Sequence, residues 1–352
     1  MNSTTNAAQY FDALGCNWQR VTQLCGPARD HFVVFGGLIV KLRFADTLLY
    51  EAYSPAFGRA HLAQAPDHWH AEICIWSNRP GCELPAPAWA SGDHIARGEI
   101  PSLSDANIRS VYNIQSSVFN SYCSISKLGF HCVRDFDKLP QYELGAPIRD
   151  ILSWVLLDHG AQLVHAGAVG YASGGVLLVG RGGSGKSTTA TSCLGGPLKY
   201  LADDYCLLRK SEGGWSVNSV FDTCKLYPSD AEKNAVLNNC ESSYSAETGK
   251  QLFYIKRDLE KHTCSGFPLK AIVLPKVTPG AAAQSYVNSI NSSRAIQALA
   301  PSTLFQLPSS RAKSFGLMSS AVKAVPAFEL ALGSDRKKVG DALVELLGQV
   351  QR

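Results

Sequence analysis

Between the apolar run Gly175-Val176-Leu177-Leu178-Val179 and Thr188-Thr189-Ala190-Thr191-Ser192-Cys193-Leu194, the chain reads Gly180-Arg181-Gly182-Gly183-Ser184-Gly185-Lys186-Ser187. An apolar strand, a glycine-rich turn and a helix start constrain the fold more than any other stretch of the sequence. Together they give G-x-x-x-x-G-K-[ST] the strand-loop-helix context it needs to act as a phosphate-binding loop. Glycines let consecutive backbone N–H groups curl around phosphate oxygens, and the helix end adds partial positive charge. Gly180, Arg181, Gly182, Gly183, Ser184, Gly185, Lys186, Ser187 and Thr188 are therefore the expected nucleotide contacts. Lys186 would reach the terminal phosphates, and the Ser187 hydroxyl would ligate Mg²⁺. The pattern predicts binding of a nucleoside triphosphate.

The run before the loop narrows the topology. Gln162 to Gly170 and Gly174 to Gly180 read as two strands joined by only a few residues. So short a gap joins strands as an antiparallel hairpin. A turn centred between Ala172 and Ser173 pairs residues whose numbers sum to 345. His165 then lies opposite Gly180, to within a residue or two, beside the phosphate cradle. A hairpin feeding the loop differs from the usual parallel nucleoside triphosphatase layout.

Carboxylates follow at a useful distance. Leu198 to Leu208 reads as a strand interrupted by Asp203 and Asp204. Two adjacent carboxylates in an apolar strand are costly without partners, and Mg²⁺ and Lys186 would be natural ones. Successive strand side chains face opposite ways, so the two Asp residues should have different tasks: one ligating the metal, the other taking a proton from an attacking hydroxyl. Lys225 and Lys250, each at the edge of a strand-like run, could stabilise charge or simply be solvated.

Bulk properties exclude several classes. The 352 residues allow two domains, and 45% hydrophobic with 18% charged residues is ordinary for a globular chain. A net charge of +4 without a Lys/Arg cluster gives no support to nucleic-acid binding. No apolar run approaches a membrane span, and the polar start lacks a signal-peptide layout. Eleven scattered cysteines without a C-x-x-C pair then read as reduced thiols in a cytoplasm. His68-Trp69-His70 with Glu72 comes nearest to a metal cluster, and a strand explains it equally well.

Along the chain, residues 1–145 read as a β-rich support or recognition domain. Its strands are expected over His31–Phe35, Leu38–Phe44, Glu72–Trp76, Arg109–Ile114, Ser117–Tyr122 and Lys127–Arg134, with a Pro-rich loop over Leu84–Trp89. The boundary is placed near 145, ahead of a helix beginning at Ala146-Pro147 and ended by Gly160. Residues 146–352 form the loop-containing domain. Toward its end come a strand over Leu269–Leu274 closed by Pro275, helices over Ser293–Leu299 and Arg311–Val325, a strand over Ala327–Leu332, and a helix from about Lys338. Ser302 and Thr303 read as a helix cap.

His165-Ala166-Gly167-Ala168-Val169, the glycine-rich loop and Ala202-Asp203-Asp204 together resemble the HPr kinase/phosphorylase family over roughly residues 146–208. The resemblance implies an α/β fold with a mixed sheet, P-loop-containing and phosphoenolpyruvate-carboxykinase-like, behind the β-rich N-terminal domain. It implies an ATP- and Mg²⁺-dependent serine kinase, in which Asp203 is the base facing the acceptor hydroxyl. Asp204 and Ser187 would hold Mg²⁺, His165 would support the catalytic Asp, and Lys186 would serve the phosphates. Multimers are common in that family. The stretch Leu207 to Leu226 lacks the family's second, Arg-Gly-Leu-Gly-type signature, so this chain looks more like stand-alone HPr-kinase-like proteins, some of which modify a serine of a precursor peptide. The expected partner is a peptide or protein with a Ser/Thr hydroxyl. A small-molecule or carboxykinase-like phosphotransferase and a nucleotide-hydrolysing switch are the competing readings.

Overall fold

The computed structural model describes residues 6–85, 98–255, 257–277, 284–308 and 311–350. The end of the expected Pro-rich loop, residues 86–89, lies outside them. The chain divides into two compact units, Met1–Pro55 with His61–His159, and Ala56–Ala60 with Gly160–Arg352.

The first unit opens with a helix that the strand-based reading of this half passed over, α1 (Ala7–Cys25). Asn6 and Gln9 form a reciprocal capping box at its start, and Tyr10, Phe11, Leu14, Trp18 and Val21 make one buried stripe. The strands follow as expected: β1 (Arg29–Phe35), β2 (Leu38–Phe44), then α2 (Thr47–Tyr53) and β3 (Ala71–Ser77). The meander β4 (Ile108–Asn113), β5 (Val118–Cys123) and β6 (Leu128–Val133) completes a six-stranded sheet in the order β1-β2-β3-β6-β5-β4. The stripe of α1 packs with Cys74, Trp76, Phe119 and Phe130 of this sheet. His70, from the candidate cluster, accepts the Ile39 N–H through Nδ1 at 3.0 Å.

Two short helices, α3 (Gln141–Gly145) and α4 (Arg149–Asp158), close the unit. The expected boundary near 145 assigned α4 to the second domain, and packing assigns it to the first. Asn120 donates to Asp150 at 3.2 Å, and Ile151 covers Gly129, where an added Cβ would lie 3.0 Å from its methyl. Helical periodicity reports an apolar face but not which sheet it covers.

In the second unit, β7 (Ala161–His165), β8 (Gly167–Tyr171) and β9 (Gly174–Leu178) precede α5 (Lys186–Ser192). Next come β10 (Lys199–Ala202), β11 (Tyr205–Ser211), β12 (Gly214–Ser219), β13 (Thr223–Leu226) and α6 (Pro228–Ala231). After β14 (Ser242–Ser245) and β15 (Lys250–Tyr254) runs the long β16 (Gly266–Val277). The chain finishes with β17 (Tyr286–Ile290), α7 (Ser292–Leu304), α8 (Arg311–Ala324), β18 (Ala327–Leu332) and α9 (Arg336–Val350).

A nine-stranded mixed sheet runs β10-β8-β9-β16-β12-β11-β7, with β18 on β16 and β17 on β18. Strand β16 joins its two halves: Gly266–Pro268 pair with β12, Leu269–Val273 with β9, and Ile272–Val277 with β18. Pro275 lies inside this strand rather than closing it, because the parallel ladder to β18 continues past it. Alternate side chains of β8 and β9 enter two cores. Ala168 and Leu177 join one with α7 and α8, while Val169, Val176 and Leu178 join another with α9 and the β13-β15-β14 sheet. Burial on both faces explains why Val176 to Val179 is uninterrupted apolar sequence.

The hairpin register holds: Gly167 pairs with Leu178 and Ala168 with Leu177, numbers that sum to 345. His165 is not part of it. The expected strand breaks at Ala166, and β7 pairs instead with β11, placing His165 opposite Tyr205. No helix among the described residues is long and apolar enough to cross a membrane.

Candidate functional site

Two chain crossings and one loop meet in the second unit. The chain passes from one half of the large sheet to the other at Ala166, between β7 and β8. It passes back at Asp203-Asp204, between β10 and β11. The expected single strand Leu198–Leu208 is therefore two strands with the carboxylates at the joint. At such a joint side chains need not alternate across a pleat.

The glycine-rich loop links β9 to α5. Its last glycine, Gly185, has φ of +100°, and a Cβ there would lie 2.6 Å from a Leu332 methyl. Both the backbone sign and the space demand glycine. The Lys186 side chain crosses the loop and donates from Nζ to the carbonyls of Gly180 at 2.7 Å and Arg181 at 3.3 Å. Burial lowers the Lys186 pKa, opposed by the charges of Asp204 and Asp203. The amides of the first turn of α5 have no intrahelical acceptors, as at any helix start. The Thr188 hydroxyl donates to Asp230 at 3.3 Å, which is paired in turn with Arg336.

The carboxylates have unlike surroundings. Asp203 is buried; its Oδ2 accepts the Lys225 backbone N–H at 3.1 Å, and its Oδ1 accepts the Tyr200 hydroxyl at 3.3 Å. The Ser187 side chain lies beside it and favours its charged form. Burial first, and the neighbouring Asp204 charge second, push the Asp203 pKa up to about 6. Asp204 is half-buried between His165 Nε2, 3.0 Å from its Oδ1, and Lys225 Nζ, 3.0 Å from its Oδ2. Burial works to raise this carboxyl, but the Lys225 charge and the His165 hydrogen bond outweigh it and hold Asp204 well below the usual carboxylate range. The two neighbouring carboxylates therefore differ widely in proton affinity.

The site thus brings together Lys186, Ser187, Asp203, Asp204 and His165. Ser187 lies beside Asp203, while His165 and Lys225 hold Asp204. Lys225, left open between a site and a solvated role, is bound to both carboxylates, through its amide and its ammonium group. Lys250 lies 5.2 Å from the Tyr227 ring centroid. Thr303 is not a cap. It lies inside α7, and its Oγ1 accepts the His165 backbone N–H at 3.1 Å.

Sequence reading missed Arg59. It belongs to the five-residue segment Ala56–Ala60 of the second unit, and its side chain is 6% exposed. It forms an ion pair with Asp222, itself 2% exposed, which also accepts the Arg59 amide. Its remaining donors go to Cys264 O at 2.9 Å, Ser219 Oγ at 3.0 Å and Leu201 O at 3.1 Å. Arg59 therefore ties Leu201 in β10, two residues before Asp203, to Asp222 just ahead of β13, three residues before Lys225. No local pattern marks it, since its partners are more than a hundred positions away.

A cavity of about 660 Å³ opens beside the loop. Gly180, Arg181 and Gly182 form one wall, the end of β16 another, and the C-terminal half of α7 a third. For metal binding, the Ser187 hydroxyl and the paired carboxylates make a hard oxygen donor set that suits Mg²⁺. Among the described residues, no group of three or more His, Cys, Asp or Glu is placed to hold a metal by protein ligands alone. Mg²⁺ commonly takes one or two carboxylates plus substrate phosphates, and this donor set fits that habit.

No family model matches the chain, and no curated protein is similar to it in sequence. Among solved structures, the Hpr(Ser) kinase/phosphatase from Coxiella burnetii aligns over 54% of this chain and 99% of its own length. The two are 8% identical, with a TM-score of 0.30.

Proposed function

We propose that the second unit is an ATP- and Mg²⁺-dependent kinase that transfers the γ-phosphoryl group to a Ser or Thr hydroxyl of a peptide or protein. The observation that carries this reading is the meeting of loop and carboxylates: Ser187 of the glycine-rich segment lies beside Asp203, whose Oδ2 accepts the Lys225 amide, and Asp204 next to it is held by His165 and Lys225. The residue pattern adds its resemblance to the HPr kinase/phosphorylase family.

The loop amides and Lys186 would cradle the phosphates. Ser187 and Asp203 would hold Mg²⁺, which when bound offsets charge on the β- and γ-phosphate oxygens. Asp204 would face the acceptor, its orientation fixed by His165. In the transfer, the acceptor oxygen forms its bond to the γ-phosphorus as its proton passes to Asp204, and the bond to the leaving ADP oxygen breaks. The positive charge of Lys225 would remain beside the site throughout. Catalysis by such a set is mainly positioning and charge stabilisation.

An enclosed basic acceptor site would favour a small-molecule acceptor instead, and the cavity beside the loop is the observation on that side. Incubation with γ-labelled ATP, Mg²⁺ and an oriented serine-peptide library separates the readings. Label on peptide, lost in Lys186→Ala and Asp204→Asn, is the expected result. Phosphate released only to water, whatever acceptor is offered, would replace the kinase with a hydrolytic switch.

A further inference from the structure

Besides the loop residues that would cradle the phosphates, the cavity beside the loop has two cations and a connection that phosphate binding does not use. Three cations line it: Arg181 from the loop, Lys276 from β16 and Arg294 from α7. Among the described residues that line it, the one carboxylate is Glu329, which Arg294 and Lys276 already share. Three positive charges against one negative leave the lining at +2. The heads of Lys276 and Arg294 are solvent-accessible, at 58% and 50% side-chain exposure, so they can turn toward a ligand at little desolvation cost. At the rim, Phe305 is 76% exposed and offers an apolar platform.

The connection runs through the end of α7. Gln306 both lines the cavity and accepts the Tyr205 hydroxyl at 2.6 Å. Tyr205 directly follows Asp204, and its ring centroid lies 5.5 Å from that of His165. One residue pair along, Thr303 receives the His165 amide. The helix that walls the cavity is thus the one that braces the Asp204–His165 pair.

We infer that this cavity is the acceptor subsite, and that it selects an acceptor whose hydroxyl lies close to a carboxylate. The inference rests on the phosphotransfer reading for the word acceptor, while the carboxylate preference rests on the cavity's own residues. Two sources carry this chemistry: a Ser or Thr flanked by Asp or Glu in a peptide, and a free hydroxy acid. An opening rimmed by an exposed aromatic ring lets a chain pass outward in the first case, and the volume admits the second whole.

The test separates binding from transfer. Peptides with Ala in place of the acceptor Ser, flanked by Asp, Asn or Lys, are titrated by fluorescence anisotropy into parent protein, Arg294→Gln and Lys276→Gln. Free L-serine and glycerate are titrated by calorimetry. Asp-flanked peptides or the free acids should bind the parent at least about tenfold more tightly than neutral ones, as expected for a lost charge-assisted contact, and each variant should erase most of that margin. Arg294→Glu should turn the peptide preference toward Lys. Binding indifferent to ligand charge, or a preference that all three variants keep, overturns the inference. Serine peptides and free acids with γ-labelled ATP then report transfer separately. Charge-selective binding without transfer would leave the carboxylate subsite standing and remove the kinase reading.

Discussion

Replacing Arg59 by Met keeps the aliphatic stem and deletes the charge inside the fold. The Asp222 carboxylate, 2% exposed, would lose the guanidinium, and the Leu201 and Cys264 carbonyls and the Ser219 hydroxyl would lose their donor. Breaking a buried pair from one side costs about 3–5 kcal/mol, because an uncompensated charge stays behind. Against a typical stability of about 5–15 kcal/mol, that is a large fraction of the total. Replacing both partners, Arg59→Met with Asp222→Leu, removes the stranded charge and should recover most of the loss. Urea unfolding followed by circular dichroism gives the stability of each variant. Hydrogen exchange in peptides covering 198–204 and 219–226 locates the damage, with faster exchange expected in both segments. Arg59→Lys, which keeps a charge but not the planar fork of five donors, should fall between parent and Met variant. A single Arg59→Met change costing under about 1 kcal/mol, or a double variant no better than the single one, would refute the clamp.

Further outcomes follow from the site. Asp203 titrates near 6 in the folded chain against an ordinary 3.8. Between those values the folded protein holds a proton that the unfolded chain has released, so this residue makes stability fall as pH rises through that window. Asp203→Asn should flatten that slope and stabilise the ligand-free protein at pH 7 by on the order of 2 kcal/mol, read from urea midpoints at pH 4.5 and 7. Asp204 is held low mainly by Lys225, so Lys225→Met should move the acid limb of the transfer rate to higher pH; an unchanged pH profile would contradict the pairing. Gly185→Ala should abolish nucleotide binding in calorimetry while leaving far-ultraviolet circular dichroism intact, since the Cβ would need a left-handed φ and the space of a Leu332 methyl. Asp204→Asn should cost the proton acceptor, roughly 10²–10⁴ in labelled-phosphate transfer, without weakening nucleotide binding comparably.

The order of the local pieces is legible from composition and spacing. Apolar runs bounded by glycines mark β9 and β16, and a two-residue turn sets the β8–β9 register to the residue, because antiparallel pairing around a tight turn leaves no freedom. The glycine-rich loop is legible for the same reason: positive φ at Gly183 and Gly185 can be met cheaply by few other residues. What short-range pattern could not carry is which strand lies beside which. His165 faces Tyr205, not Gly180, because the apolar face of β7 is buried against β11 and α7, a choice made by surfaces distant in sequence. The division of labour between Asp203 and Asp204 also depends on distant groups: Ser187, His165, Lys225 and Tyr200 fix the proton affinities of two otherwise identical side chains. Arg59 is the extreme case, a lone arginine in an unremarkable segment whose role exists only once four distant stretches of chain close around it. Sequence by itself determined the chemistry available and the turns that present it; burial and charge in the tertiary structure decided which groups share that chemistry.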